Sequence, residues 1–329
     1  DPAYAWLIHD RKTRAPQALF SGWPQLPPGA PPPQPTQLWT NMGYAALRSV
    51  EVPRYWSGEG WTAFATFSGQ PVHQHADKLS VLLYGGGHLW LPDREARTAA
   101  EHAFSSPVQN RLNRETLCHN TLLIDHHSQA YPGQRLELVE FVSEPDTKRL
   151  TMADRRGRLY PGVRQMRTLI VRRDYVLDFF QVRSEEPHDY TWLVHVDGEP
   201  AHNSLTNWTA ATFPTNAPWP YLLAPRRAPA SAAYSENFLH AGQTLRLDLR
   251  CDGAAEVVQC GFPADDSPNP KPLPMRLVQC RRAGAWFLAL YRLGPDRAEP
   301  VTMEVRKPHS WEITLNLLRK PARHNAPSL

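Results

Sequence analysis

Short apolar runs separated by turn residues dominate the sequence from about residue 37 onwards. The runs are rich in Val, Leu, Phe, Tyr and Trp, and Gly, Pro, Asn and Asp separate them, which is typical of strands. No apolar pattern of helical period continues for more than about three turns. The pattern therefore predicts an all-β fold, a large antiparallel β-sandwich in which about a dozen or more strands form two stacked sheets.

Two hairpins are predicted with particular clarity. Gly85, Gly86 and Gly87 separate the runs KLSVLLYGG and HLWLPD, and glycine supplies the positive φ of a tight turn. An Arg-Arg-Asp turn joins the two halves of QMRTLIVRRDYVLDFFQVR. Further strands are expected in DYTWLVHVDG and on either side of RRAG, which is interpreted as another turn. Residues 94–114 are interpreted as a long loop, and 199–236 as an excursion from the sheets.

Proline content divides the chain into two regions. The chain has 329 residues and 33 prolines, and residues 1–36 end in LPPGAPPPQPTQ. Such a segment favours polyproline geometry and resists both helix and sheet. We therefore interpret residues 1–36 as a linker and residues 37–329 as the β-sandwich domain.

Charge and hydropathy exclude some functions. The net charge of +4 comes from basic residues spread along the chain, so nucleic-acid binding is not expected, whereas an acidic ligand remains compatible. No apolar run approaches the roughly 20 residues of a membrane helix, and no membrane partner is expected. Cys118, Cys251, Cys260 and Cys280 show no CxxC spacing; a hairpin disulfide between Cys251 and Cys260 and buried free thiols are both open.

Candidate chemistry concentrates between Gly69 and Asp125. In VHQHAD, an extended strand would direct His73 and His75 to the same face. Asp93 closes the second strand of the first predicted hairpin, and His119 begins a later strand. A His, Asp, His set at neighbouring strand ends matches the preference of zinc for imidazole and carboxylate ligands, with a position left for water or a fourth ligand.

Structural explanations for the same residues stay open. An HxH pair in a β protein is often structural or exposed, and other histidines occur nearby without pattern. Asp93 after Pro92 could be an ordinary turn residue, and Asn120 could be a residue whose side chain bonds local backbone. Cys118 beside His119 could be a nucleophile, but adjacent strand residues point to opposite faces.

The motifs in this stretch resemble the signature region of the heparinase II/III-like polysaccharide lyases. The resemblance rests on HQHADKLSVLLYGGG, LPD, SSP, RETLCHNTLLID and HSQ in this order, and it covers roughly residues 37–200. The SSP to HSQ portion is most similar to the oligoalginate-lyase branch. One departure is that Asp93 is followed by REARTAAEHAF, with no tyrosine before Tyr131.

The resemblance implies specific roles. His75, Asp93 and His119 correspond to zinc ligands, and His73 faces the uronic acid as the catalytic residue. The implied reaction is β-elimination, in which the C5 proton of a uronate is removed and the 4-linked oxygen leaves. Arg111 and Arg114 are candidates for binding the substrate carboxylate, although solvated arginines would look the same. His195 is a substrate-binding candidate or a satisfied core histidine.

The resemblance also implies a partner domain. In such lyases an α/α toroid packs against the sandwich, so the toroid is expected upstream or in another chain, and the acidic polysaccharide lies between the two. A periplasmic or secreted location is favoured for this family. Two rivals remain: a non-catalytic carbohydrate-binding sandwich with a structural metal, and a cupin-type metalloenzyme, which would need a further Glu and His that the sequence does not clearly offer.

Overall fold

A computed structural model describes residues 33–51, 58–69, 74–99, 103–131, 133–294, 302–306, 311–317 and 320–327. These residues form antiparallel sheets, as predicted, with a few single turns of helix. The turns are 3-10 in type at Ala103–Ser105, Thr116–Cys118 and Trp219–Tyr221 and π in type at Gln109–Asn113. No helix among the described residues is long and apolar enough to cross a bilayer.

The first sheet has five strands in sequence order: β1 (Gln37–Trp39), β2 (Tyr44–Arg48), β3 (Trp61–Thr66), β4 (Val81–Gly85) and β5 (His88–Leu91). Strands β4 and β5 are the first predicted hairpin. Gly86 and Gly87 have φ angles of 59° and 84° in its turn, a conformation that glycine adopts without steric cost.

The second sheet has twelve strands. They are β6 (Leu122–Ile124), β7 (Glu137–Ser143), β8 (Lys148–Asp154), β9 (Arg164–Val171), β10 (Val176–His195), β11 (Glu199–Asn203), β12 (Thr209–Ala210), β13 (Leu223–Ala230), β14 (Ala233–His240), β15 (Gln243–Cys251), β16 (Ala255–Pro263) and β17 (Pro272–Gly294). A separate three-stranded sheet comprises β18 (Thr302–Arg306), β19 (Trp311–Leu317) and β20 (Lys320–Ala326).

The two large sheets share one core. Buried side chains of the first sheet, such as Leu47 and Trp61, belong to the same apolar cluster as Leu169, Phe180 and Leu247 of the second. Removing such side chains from water contributes about 1.5–3 kcal/mol each. The predicted β-sandwich is confirmed.

Strands β10 and β17 are longer than the sequence pattern predicts. Each was expected to be two strands, but each continues, paired with the other over nearly its whole length. The polar segment at the middle of β10 and the RRAG segment of β17 lie opposite each other, and Arg281 binds Asp189 at 2.7 Å. The predicted RRAG turn is wrong, because these residues are extended and paired within β17. Their polar character reflects the exposure of the paired strands at this point.

The second sheet consequently has two halves joined by these strands. The first half of β10 pairs with β9, and its second half pairs with β6. Strand β17 similarly pairs with β16 through its first half and with β15 through its second. The candidate site lies at the end of β10, beside the half that contains β6 and β16.

Two further expectations are corrected. Residues 199–236 are not simply an excursion, because β11, β13 and the start of β14 fall there. Strand β13 tolerates Pro225 and Pro229 since β12 pairs with it only opposite Arg226 and Arg227, and proline is accepted on such open edges. The disulfide alternative is also wrong, since all four cysteines are free thiols. Most of the predicted linker, 1–36, lies outside the described residues.

Candidate functional site

His75 lies in the loop between β3 and β4. This loop is not the extended strand that the sequence suggested, because Leu79 adopts a φ of 58° and side chains from a later segment bind its backbone. Thr116 donates from Oγ1 to the carbonyl of Ala76 at 2.8 Å. Gln129, from the HSQ motif, accepts from the Lys78 N–H at 2.8 Å and donates to the Lys78 carbonyl at 2.9 Å.

Asp93 follows the end of β5, as predicted. The amide of Arg94 donates to the carbonyl of Cys118 at 3.0 Å, which holds the Asp93 segment beside His119. Asp93 remains partly exposed, with 44% of its side chain accessible, whereas His119 has only 2%. The carboxylate therefore stands at the opening of the site and the imidazole at its base.

His119 follows the 3-10 turn at Thr116–Cys118 and precedes β6. Its Nδ1 lies 3.3 Å from Oδ1 of Asp93, and its ring centroid lies 5.4 Å from that of His75. Neither ring nitrogen makes a hydrogen bond with a described residue. Buried polar atoms are rarely left without a partner, and an imidazole with free nitrogens at this depth is suited to bind a metal ion.

Asp93 and His75 thus each approach His119, but the three side chains do not form a closed ligand set. The donor atoms of His75, Asp93 and His119 do not all lie within 4.8 Å of one another. Binding a single ion therefore requires a side-chain movement, which the half-buried His75 can make. A site of this kind would close when the ion enters.

The electrostatics of the three groups are linked. Burial and the neighbouring His119 lower the pKa of His75. Burial works against the charged form of both His119 and Asp93, but their mutual attraction prevails, so that the pKa of His119 is raised and that of Asp93 is lowered. The site therefore favours a neutral His75 and a carboxylate at Asp93, which are forms that bind metal ions, whereas the raised pKa of His119 favours its protonated form, and a metal ion must displace that proton to bind there.

Asn120 connects the segments that carry these residues. Its side-chain amide donates to the carbonyls of Val81 and Pro92 at 3.0 and 2.9 Å, and its Oδ1 accepts from the N–H of His195 at 2.7 Å. From the sequence, Asn120 was expected only to bond local backbone; its partners are instead distant in sequence. Its contacts fix the start of β4, the end of β5 and the end of β10 together.

A buried ion pair lies beneath this arrangement. Arg167 of β9 binds Asp178 of β10 through two hydrogen bonds of 2.8 and 2.6 Å. The same guanidinium donates to the carbonyl of Leu79 and, at 2.6 Å, to that of Asn120. The pair satisfies backbone groups on both sides of the site, which aligns the two loops.

His195 does not fit its predicted role in substrate binding. The residue is fully buried, and its Nε2 donates to the carbonyl of Leu117 at 2.9 Å. Burial, reinforced by the charge of Arg94, lowers the pKa of His195 to about 3, so the ring is neutral. The alternative of a core histidine describes it better.

The two arginines lie at the surface, and Arg114 is close enough to His75 to affect its charge. Arg114 is exposed, and its guanidinium donates to the carbonyl of Gln74 at 3.4 Å. Arg111 is exposed on the π-helical turn. Tyr131, which the sequence analysis noted only as a departure, is 48% exposed and donates to the Arg114 carbonyl at 3.4 Å. His73 lies outside the described residues.

Cys118 is not a nucleophile in this structure. The thiol is buried and donates to the carbonyl of Leu112 at 2.9 Å. Burial and the nearby carboxylate of Asp93 raise the pKa of Cys118 well above its usual value, which leaves it protonated and unreactive.

Comparison with known structures defines the class of fold. The chain is similar to a heparinase III described as the BT4657 gene product, with a TM-score of 0.67, 11% identity and coverage of 99% of this chain and 46% of that one. It is also similar to the heparan sulfate lyase HepC from Pedobacter heparinus, with a TM-score of 0.64, 13% identity and coverage of 99% and 48%. The chain thus spans less than half the length of these proteins.

Residues 31–246 match the family described as Heparinase II/III-like, C-terminal. The chain belongs to this family, since the match covers well over half of its length. No curated protein sequence matches the chain significantly.

Proposed function

We propose that this chain is the β-sandwich portion of a polysaccharide lyase that cleaves a uronate-containing poly- or oligosaccharide by β-elimination, with zinc bound by His75, Asp93 and His119. The observation that carries the proposal is the approach of Asp93 and His75 to a buried His119 whose ring nitrogens make no hydrogen bond within the described part of the chain. Lyase chemistry is supported by family membership and by a structural neighbour described as a heparan sulfate lyase.

The residue types fit zinc. Two imidazoles and a carboxylate are ligands that zinc accepts at about 2.0–2.2 Å, and the backbone of each segment is held by hydrogen bonds that do not involve the ligand atoms themselves. A bound ion would fix the three segments at one point and supply positive charge there. We assign no metal-dependent step of the reaction to it.

The elimination requires that the uronate carboxylate be neutralised as negative charge develops at C5. His73 is two residues before His75 in the sequence, and we assign it the contact with the carboxylate. Arg111 and Arg114, both exposed on the neighbouring helical segment, would bind acidic groups of the same substrate, because guanidinium groups form paired hydrogen bonds to carboxylates. The residues that remove the C5 proton and protonate the leaving oxygen are expected on an α/α toroid.

The substrate is proposed to be alginate-like. This finer assignment rests on the SSP to HSQ motifs and not on the fold, since the structural neighbours are only 11–13% identical. The resemblance to the family, rather than these motifs, favours a periplasmic or secreted location.

The proposal is tested by incubating the full-length protein with uronate oligosaccharides and following the ultraviolet absorbance of the unsaturated product. His73→Ala should abolish the signal, whereas the control His202→Ala, at an exposed position on β11, should not change it. Products of hydrolysis without unsaturation would contradict the elimination mechanism. Sugar binding without turnover by the full-length protein would instead favour the carbohydrate-binding alternative.

A further inference from the structure

A second group of metal-binding residue types lies outside the site described above. It comprises His88 at the start of β5, Asp197 shortly after β10 and His240 at the end of β14, and their donor atoms all lie within 4.8 Å of one another. We propose that these three side chains bind one zinc ion, which joins the two sheets of the sandwich. The group shares no residue with the His75, Asp93 and His119 set.

The distances within the group suit zinc once the ring of His240 rotates out of its stack on His88. Bonds of about 2.1 Å at tetrahedral angles place two ligand atoms about 3.4 Å apart. Nε2 of His88 lies 3.4 Å from Oδ2 of Asp197. The rings of His88 and His240 stack at 3.5 Å between centroids and 13° between planes, so His240 must rotate to direct a nitrogen at the shared point. His240 is exposed, and the rotation breaks its stack on His88.

Binding also exchanges a hydrogen bond for a metal bond. Nε2 of His88 donates to the backbone carbonyl of Asp197 at 2.6 Å. When zinc binds at this nitrogen, the neutral ring carries its proton on Nδ1 instead, and the lone pair of Nε2 forms the bond to the ion. The hydrogen bond to the Asp197 carbonyl is given up in this exchange, because zinc binds the neutral form of histidine.

The surroundings orient the acidic ligand and shield the histidine pair. Arg94 binds Oδ1 of Asp197 at 3.3 Å and the carbonyl of Val196 at 2.8 Å, which leaves Oδ2 directed towards His88. The buried Trp90 ring meets the His88 ring edge-on at 4.8 Å. Partners that orient a ligand and an apolar wall beside it are typical of metal sites.

A zinc ion can reach this site from an open cleft, and once bound it would connect the two sheets. Asp197 and His240 line an open cleft of about 950 Å³, through which zinc can enter. His88 belongs to the five-stranded sheet, whereas Asp197 and His240 extend from the twelve-stranded sheet. A shared ion therefore connects the sheets, and it stabilises the folded protein because the unfolded chain has no preformed site.

The test is zinc titration of the purified, metal-stripped protein, with stoichiometry and thermal midpoint measured together. We expect two equivalents in the wild type and one in His240→Ala. The exposed His202→Ala serves as the matched control and should retain two. In a His75→Ala background, zinc at about 100 times its dissociation constant should raise the midpoint by about 5 °C, and adding His240→Ala should remove this rise.

The outcomes separate the two sites. Loss of one equivalent in His240→Ala, with the other lost in His75→Ala, supports both. If His240→Ala and a second variant, His88→Gln, both bind zinc with wild-type stoichiometry and affinity, the stacked histidines are not ligands and the proposal is overturned. That result would leave the His75, Asp93 and His119 site unaffected.

Discussion

Asn120 is the side chain whose removal tests the architecture of the site most sharply. It is 1% exposed, and its three hydrogen bonds go to backbone groups of Val81, Pro92 and His195. In Asn120→Ala, these two carbonyls and one N–H lose their partner in a buried position. Each unsatisfied group costs about 1–3 kcal/mol; because the cavity left by the amide can admit water, we take the lower part of this range and expect a loss of about 3–5 kcal/mol.

The same substitution should weaken zinc binding. Asp93 directly follows Pro92 and His119 directly precedes Asn120, so both proposed ligands lose alignment when these hydrogen bonds are removed. Loss of supporting contacts around a metal site lowers affinity by about 10- to 100-fold. Asn120→Asp should be no better than alanine, since a carboxylate cannot donate to the two carbonyls.

Urea denaturation gives the free energy of unfolding, and competition with a chromophoric chelator gives the zinc affinity. The exposed Asn110→Ala is the matched control, with an expected change within about 0.5 kcal/mol. An Asn120→Ala protein that loses less than about 1 kcal/mol, or that binds zinc as tightly as the wild type, would refute the reasoning.

Three further predictions concern charges and thiols. Asp178→Asn should lower the free energy of unfolding, measured by urea denaturation, by about 3–5 kcal/mol, because it leaves Arg167 buried without its partner charge. The control Asp189→Asn, which removes the surface partner of Arg281, should cost no more than about 1 kcal/mol. Equal losses in the two variants would contradict this. Burial opposes the charged form of Asp248, but hydrogen bonds from Arg246, Ser235 and Arg292 prevail and lower its pKa below 3.8. The stability that the Asp248 carboxylate contributes is therefore present above that pH and is lost as the pH falls through the pKa of the folded state. Unfolding free energy should therefore fall more steeply below pH 4 in the wild type than in Asp248→Asn, and parallel curves would contradict it. Titration of thiols in denaturant without reductant should find four free thiols per chain. A count of two free thiols would instead indicate one disulfide.

The fold class and two hairpins could be predicted from the sequence, because the alternation of apolar runs and turn residues is a local pattern. Glycines at the β4–β5 turn and the apolar runs on either side predicted that hairpin correctly, and the β9–β10 hairpin likewise follows from its Arg-Arg-Asp turn. The long strands β10 and β17 were missed because their polar middle segments look like turns. Only their pairing across the two half-sheets shows that those residues are extended.

The site was partly predictable for a related reason. The positions of Asp93 and His119 relative to strand ends are local features, and the structure brings them together. The loop conformation around His75 and the burial of His195 depend on distant partners, Gln129 and Leu117 among them, and no local pattern reports such contacts. The part played by Asn120 was missed for the same reason, since its partners lie far away in sequence.

The proposed metal-organised lyase site requires that His75, Asp93 and His119 bind one zinc ion. Anomalous X-ray scattering at the zinc edge from crystals of the zinc-saturated protein tests this directly. We predict a peak in contact with all three side chains, with His75 rotated towards His119. A zinc-saturated crystal with no peak at this position, and with His75, Asp93 and His119 placed as they are here, would contradict the proposed site.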